Sequence, residues 1–250
     1  MRVIRPASLY PGARRRQLLL GVTMVAAGLL AAQVALLTAT PAITGAMAGA
    51  SAIGLGVGTA WAWRAVRPTR ARRLVERLIS ILGATLDDSY TLVVAPLLPV
   101  RDSGRLDGVL IGPGGVRAIT IRDWEGCYRV RGRVWEFDAR GRRGWIPCRT
   151  NPSFDAIALA NGVSRWTEER GIGEVPVRPV IAFPDAAARL VLEEPEDEIV
   201  TADNAPWWAN SFGRVRRLDP ATGAQVLEAI LDAGERSADA GRRRGAPGRV

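Results

Sequence analysis

The first quarter of the chain contains a long apolar stretch, with no charged residue in positions 17–63. As a single helix it would be about 70 Å long, whereas one crossing of a bilayer needs about 20 residues. Pro41 interrupts the stretch, because proline favours the start of a helix and disfavours its interior. The pattern predicts a transmembrane hairpin with helices near 17–37 and 42–63.

Beyond the hairpin, shorter apolar periods predict one α/β (α+β) domain over 70–235, with a mixed central sheet flanked by helices. Leu74, Leu78 and Leu82 share one face of an amphipathic helix over 70–82, and Gly83 is a plausible stop. Strands are predicted at 90–100, 106–111, 116–122, 127–131, 133–137 and 177–183. Further helices are predicted at 151–170, 204–212 and 219–233.

The helix over 151–170, the acidic stretch and the C-terminal segment are predicted in more detail. Asn151 and Pro152 open the helix over 151–170 as N-cap and first helical residue. Its predicted apolar stripe consists of Phe154, Ile157, Ala158 and Trp166. The acidic residues of 193–198 are expected to form a solvated loop. Residues 236–250 have no apolar pattern and are expected to be a disordered basic tail.

Charge orients the predicted hairpin. The net charge is +9, and arginines cluster on both flanks of the apolar stretch, in the basic segment 1–16 and in 64–73. Cytoplasmic loops carry an excess of positive residues. We therefore expect a multi-pass protein of the cell membrane with the soluble domain and both termini on the cytoplasmic side. Arginines this close to a membrane would also attract anionic lipid headgroups.

Two residue types are absent, histidine and lysine. Histidine-based triads, His-ligated zinc sites, Walker lysines and Schiff-base lysines are therefore excluded. Every cation is an arginine, which cannot act as a general base under normal conditions. Cys127 and Cys148 are too few for a disulfide framework and are expected to be free thiols, although a bridge between them stays open.

Small residues recur in the second predicted span, as Gly45-x-x-x-Gly49 and Gly54-x-x-x-Gly58. This spacing allows two helices to approach closely. One interpretation is a homodimer formed through this face. The favoured one is packing within the hairpin, against Gly21 and Gly28 of the first span.

The stretch Leu106-Asp107-Gly108-Val109-Leu110-Ile111-Gly112-Pro113-Gly114-Gly115-Val116, followed by Ile119-Thr120-Ile121-Arg122-Asp123-Trp124-Glu125-Gly126, resembles the NERD family of nuclease-related domains. Asn151-Pro152 at a helix start and Val175-Pro176-Val177-Arg178-Pro179-Val180 before a strand also match. The similarity covers about 70–215. It implies a fold related to the PD-(D/E)XK nucleases, in which a helix Glu, a strand Asp and the Glu of a Glu-x-Lys motif hold magnesium.

Carried over position by position, the resemblance matches Asp107 to the strand Asp and Glu76 to the helix Glu, the only two expected metal ligands. Thr120 occupies the Glu position and Arg122 the Lys position, and the two side chains share one face of a strand. Asp155 falls where the family often has glutamine. A neutral hydroxyl and a permanent cation are poor neighbours for Mg²⁺, which prefers oxygen ligands.

A displaced carboxylate from Asp123 or Glu125 could replace the missing ligand only if a bulge changed the strand parity. Simpler roles are open for the other two acids. Asp107 could cap a strand end or pair with Arg105 or Arg122. Glu76 could be a solvated ion-pair partner on its helix.

Three functions follow as hypotheses. The first is a membrane-tethered binding or scaffold module that has lost the nuclease site and takes no cofactor. The second is an active Mg²⁺-dependent nuclease using Glu76, Asp107 and a displaced acid. The third is a nucleic-acid or anionic-lipid binder, with Tyr128, Trp135 and Trp145 available for base stacking. Its candidate phosphate contacts are Arg129, Arg131, Arg133, Arg140, Arg142 and Arg143.

Overall fold

In a computed structural model, the protein is described over residues 1–5, 12–37, 40–66, 69–99, 106–139, 144–212 and 217–245. It divides into two compact units, one formed by Ser8–Arg70 and the other by Met1–Ala7 together with Ala71–Val250. The elements in chain order are β1 (Arg2–Ile4), α1 (Gly12–Leu37), α2 (Pro41–Val66), α3 (Arg70–Thr85), β2 (Thr91–Val94), β3 (Gly108–Gly112), β4 (Gly115–Ile121), β5 (Gly126–Arg131), β6 (Val134–Asp138), β7 (Trp145–Pro147), α4 (Pro152–Glu169), β8 (Val177–Phe183), β9 (Ala188–Glu193), β10 (Glu198–Thr201), α5 (Ala205–Ser211) and α6 (Pro220–Gly245).

The first unit is the predicted helical hairpin, with the break before Pro41 as expected. Both helices contain a stretch long and apolar enough to cross a membrane. Only 11% of each such stretch is buried, so the apolar side chains mostly face outward, unlike those of a core helix. Each helix has 26 residues, or about 39 Å at the usual rise, which exceeds the roughly 30 Å of a bilayer core.

Glycines hold the two helices of the hairpin together. A Cβ on Gly58 would lie 2.8 Å from the backbone nitrogen of Val25, and one on Gly54 would lie 3.0 Å from the Cα of Gly28. A Cβ on Gly21 would meet the α2 backbone at 2.8 Å. The predicted packing of this glycine pair within the hairpin is confirmed.

The other small-residue pair of α2 has a different environment. A Cβ added to Gly45 or Gly49 would meet nothing within 4 Å. These two glycines therefore take no part in the hairpin contact, and a homodimer through this face stays a prediction.

The second unit is α+β, with two sheets. The larger one is mixed and has the order β1-β2-β3-β4-β8-β10. Strands β2, β3 and β4 are antiparallel neighbours, while β1–β2, β4–β8 and β8–β10 pair in parallel. The smaller sheet has the order β7-β6-β5-β9, with β9 parallel to β5. The predicted mixed sheet with flanking helices is thus confirmed.

One face of the larger sheet forms the main core. Val109 and Ala118, which are opposite each other in the β3–β4 register, are fully buried in one cluster with residues of α4 and α6. Leu159 and Val163 come from α4, and Ile230 comes from α6. The core therefore sits between the sheet and these two helices.

The structure contains four strands that the apolar pattern does not predict. These are β1, in the segment assigned to a basic N-terminus, and β7, β9 and β10. Each has at most six residues, too few for a clear alternation. Strand β2 ends at Val94, earlier than predicted, because Ala95 adopts a positive φ of 44°. The acidic stretch 193–198 is a connection whose two ends belong to β9 and β10.

Three helix details also differ from expectation. The stripe predicted for α4 is wrong except at Trp166, since Phe154 is 64% exposed and small residues such as Ala156 and Ala160 face the core. Helix α3 passes Gly83 and ends at Thr85. Helix α6 continues to Gly245, past its predicted end and into the expected disordered tail.

Candidate functional site

Asp107 lies immediately before β3 and hydrogen-bonds to residues of β4 and to Ala95, just after β2. Its backbone N–H donates to the Ile119 carbonyl at 3.1 Å, and its carbonyl accepts from Ala95 at 2.7 Å. Its carboxylate accepts the backbone N–H of Ile121 at 2.7 Å. The side chain therefore caps β4, one of the two structural roles expected for it.

Thr120 and Arg122, at the Glu and Lys positions of the motif, both have protein partners. Thr120 is only 3% exposed, and its hydroxyl donates to the Val180 carbonyl at 3.3 Å. The Arg122 guanidinium pairs with Asp155, in the first turn of α4, at 2.7 Å. The structure thus brings together Arg122 and Asp155, which the resemblance places in one site.

Glu76 on α3, the expected helix ligand, lies beside two arginines. Its Oε2 lies 2.7 Å from an Arg5 nitrogen and its Oε1 lies 4.0 Å from the Arg72 Nε. The Glu76 side chain is 43% exposed. It has the geometry of the solvated ion-pair partner expected as the simpler alternative.

Asp123 and Glu125 lie in the connection between β4 and β5, outside any strand. Both are exposed, whereas Trp124 between them is half-buried and packs edge-on to Trp135, with ring centroids 5.7 Å apart. Trp124 therefore anchors this connection. Among the described residues, no group of three or more Cys, Asp and Glu side chains is placed to hold a metal ion.

No family model, curated protein or solved structure matches this chain. The resemblance to nuclease-related domains therefore rests on the sequence motifs.

The arginines of the β5–β6 hairpin are neutralised by carboxylates. Arg129 pairs with Glu136 at 2.6 Å and Arg131 with Glu193 at 2.8 Å. Arg133 lies 3.1 Å from Glu196 and 3.9 Å from Asp197. Arg140, Arg142 and Arg143 lie outside the described residues. Each of the three described arginines therefore has a carboxylate partner, which leaves less of their charge available for binding phosphate.

The three aromatic residues considered for base stacking also have protein contacts. Trp135 is 2% exposed, and its indole N–H donates to the Ser153 hydroxyl at 2.8 Å. The Tyr128 ring lies against Trp124, with centroids 4.9 Å apart. The Trp145 ring lies 4.8 Å from the Arg129 guanidinium carbon. All three therefore pack within the smaller sheet, and Trp135 is too deeply buried to stack on a base.

The most deeply buried charge is Arg117, in the middle of β4. Its Nε lies 2.7 Å from the Glu198 carboxylate at the start of β10. A terminal nitrogen of the same guanidinium donates to the Gly114 carbonyl at 2.8 Å. The Trp208 indole donates to the same carboxylate at 2.9 Å, and the Phe212 ring lies 3.7 Å from the guanidinium carbon. The sequence analysis did not predict this cluster. The one charged residue within the apolar run of β4 is the sequence feature that points to it.

The same cluster packs on the β3–β4 turn. A Cβ on Gly114 would lie 2.9 Å from Phe212, and one on Gly112 would collide with the Tyr90 ring at 2.2 Å. Burial raises the pKa of Tyr90 above its usual value, while a hydrogen bond from Gly114 opposes the rise. Gly112 and Gly114 of the family-like motif are therefore needed for close packing.

Proposed function

We propose that this protein is a membrane-anchored nuclease-related domain protein that has lost metal-dependent catalysis and acts as a binding or scaffold module at the cytoplasmic face. The observation that carries the proposal is the set of partners at the expected metal site. Thr120, Arg122, Glu76 and Asp107 are each engaged by a protein group. A metal would have to displace these contacts and bind beside a permanent cation.

The order of elements supports a PD-(D/E)XK-like ancestry. The helix that carries Glu76 precedes the strand that follows Asp107, and the next strand carries Thr120. The helix that follows contributes Asp155, and this side chain meets Arg122. These are the relative positions that the family motif requires.

The chain path supports the proposed membrane topology. Residues 1–7 belong to the same compact unit as 71–250, so the hairpin leaves this unit and returns to it. A chain that inserts such a hairpin has both ends on one side of the bilayer, and the arginines of both flanks favour the cytoplasmic side. The apolar surfaces of α1 and α2 would then face lipid.

The loss of catalysis is tested by incubating the purified full-length protein with DNA and with RNA in the presence of Mg²⁺ or Mn²⁺. We expect no cleavage above that of the matched variant Asp107→Asn, which keeps the size of the capping side chain. Metal-dependent cleavage that disappears in Asp107→Asn would refute the proposal and favour the active nuclease.

The topology is tested by labelling single cysteines with a membrane-impermeant maleimide in intact cells, after replacing Cys127 and Cys148. We expect Thr40→Cys, between the two helices, to be labelled from outside. Asp138→Cys, at the end of β6, should be labelled only after the cells are opened. The reverse pattern would contradict the cytoplasmic assignment, and labelling of neither tip nor domain in intact cells would argue against a spanning hairpin.

A further inference from the structure

Strand β9 is an open edge of the smaller sheet. Among the described residues, only β5 pairs with it. Gly126 and Gly132 donate to the carbonyls of Ala187 and Glu193, so alternate residues of this segment face β5. Leu190 and Leu192 lie between the residues that face β5. Their backbone N–H and C=O groups therefore point away from β5.

This edge is neither shortened nor interrupted, although Arg189 and Glu193 place charges on it. Exposed edges are commonly shortened, or interrupted by proline or a bulge. Strand β1 has three residues, β10 has four, and β7 has three with Pro147 among them. Strand β9 has six residues, Ala-Arg-Leu-Val-Leu-Glu, without proline or glycine. It is the longest edge strand in the described part of the chain.

The side chains of β9 are complementary to a second copy of the same strand. In an antiparallel pair centred on Val191, Arg189 is opposite Glu193 of the second copy, and Leu190 is opposite its Leu192. Arg189 and Val191 are exposed, and both leucines are half-buried. Opposite charges and apolar pairs facing each other across two strands are stabilising.

The backbone N–H and C=O groups of β9 fit the same register. In an antiparallel ladder, opposed residues alternate between pairs that exchange two hydrogen bonds and pairs that exchange none. Leu190 and Leu192 have the outward-facing backbone groups, so their two pairs are hydrogen-bonded. Val191 then faces its own copy in a pair without hydrogen bonds, where the Cα atoms are about 4.5 Å apart.

We propose that β9 is a self-association edge, and that two copies of this chain pair their β9 strands antiparallel about Val191 to form one continuous eight-stranded sheet. The occupant is a second copy because this register places Arg189 opposite a carboxylate, that of Glu193, which also pairs with Arg131 of its own chain at 2.8 Å, and places Leu190 opposite Leu192. The inference does not depend on the presence or loss of nuclease activity.

The test is disulfide cross-linking of the full-length protein in isolated membranes, with Cys127 and Cys148 replaced by serine and alanine. Val191→Cys places two thiols across a pair whose spacing suits a disulfide. Arg189→Cys is the matched control, because it lies on the same exposed face of β9 but about 14 Å from its own copy in this register. We expect a cross-linked dimer with Val191→Cys and little with Arg189→Cys, whereas the pair Arg189→Cys with Glu193→Cys should cross-link again.

Charge exchange gives an independent readout. In the Val191→Cys background, Arg189→Glu opposes two carboxylates at both ends of the pair and should lower the initial cross-linking rate about tenfold. Adding Glu193→Arg restores the complementarity and should restore the rate. Circular dichroism of each variant checks that the fold is unchanged.

Several results would overturn the proposal. Equal cross-linking of Val191→Cys and Arg189→Cys would indicate random collision or a parallel register. A dimer that survives Arg189→Glu but is lost in Gly49→Leu would assign association to α2. Cross-linking of Val191→Cys to a product heavier or lighter than twice the chain would assign the edge to a different protein.

Discussion

At the scale of single residues, the Arg117 and Glu198 pair decides how β4 and β10 are held together across the sheet. The Arg117 side chain is 1% exposed and the Glu198 side chain 19%. Desolvating two charges is costly, and the pair is stabilising only because further hydrogen bonds complete it. The guanidinium also donates to the Gly114 carbonyl, and the carboxylate also accepts from the Trp208 indole. Removing one partner leaves the other buried without compensation.

We therefore expect Glu198→Ala to lower the free energy of unfolding by about 3–5 kcal/mol. The matched control is Glu76→Ala, because the Glu76–Arg5 pair is about equally exposed on both sides and should change stability by less than about 1 kcal/mol. Urea unfolding followed by tryptophan fluorescence measures both. An effect of Glu198→Ala as small as that of Glu76→Ala would show that the cluster is not a buried ion pair.

The raised pKa values predict loss of stability at alkaline pH. Burial raises the pKa of Tyr90, Tyr128 and Cys148 above their usual values. The folded protein then keeps protons that the unfolded chain releases, so this contribution is complete below the unfolded pKa values and is lost as pH rises from them to the raised pKa values of the folded state. The window begins near pH 9 for the thiol and near pH 10 for the phenols.

The measurement is the urea midpoint at a series of pH values between about 7 and 11. We expect a fall above about pH 9 that is shallower in Tyr90→Phe, which cannot lose a proton at this position. A midpoint that stays constant through this window would contradict the role of burial at these three groups.

At the scale of elements, the helices and longer strands follow from local pattern. Asn151 and Pro152 fix the start of α4 through chemistry within four residues, and the Asn151 side chain accepts from the Ser153 N–H at 3.0 Å. The short strands β1, β7, β9 and β10 depend on partners far along the chain, such as Thr91 for Arg2. No local pattern contains that information, so these strands were not predicted.

The candidate site shows the same division. The motif assigned both Arg122 and Asp155 to the candidate site, and the structure pairs them. The ion pair between Glu76 and Arg5 was not expected from the sequence, because β1 is what brings Arg5 close to α3. Likewise, Arg117 is charged but buried, since its counter-charge Glu198 comes from a distant acidic stretch that sequence alone assigns to solvent.

The hairpin glycines make a prediction at the same scale. Gly58→Val should destabilise packing of α1 on α2 by about 1–3 kcal/mol, because its Cβ would lie 2.8 Å from the Val25 backbone. Gly49→Val is the matched control on the same helix, with open space around its Cβ, and should change packing by less than about 0.5 kcal/mol. Unfolding of the detergent-solubilised protein by added sodium dodecyl sulfate measures both, and equal effects would refute the contact.

At the scale of the whole molecule, the α+β unit is assembled from two separate stretches of chain. Ile4 of β1 packs on the main core, and Arg5 reaches Glu76 on α3. A soluble version starting at residue 71 would therefore lack an edge strand. One that joins residues 1–7 to 71–250 through a Gly/Ser linker of about 12 residues, which spans roughly 20 Å, keeps it.

We expect the linked version to be more stable than 71–250 alone by about 2 kcal/mol, from the half-buried Val3 and Ile4 side chains. Thermal and urea unfolding compare the two, and Ile4→Asp in the linked version is the control that should abolish the gain. Equal stability of all three would show that β1 contributes nothing to the sheet.

The pairing of β1 with β2 also sets an order of events during synthesis. Arg2 is made roughly 90 residues before its partner Thr91, an interval of about 5–18 s at ordinary translation rates. The hairpin is made in between, so under the proposed topology the chain must cross the bilayer and return before the sheet can close. Under that topology, the β1–β2 pair can form only when both flanks of the hairpin lie on the same side of the bilayer.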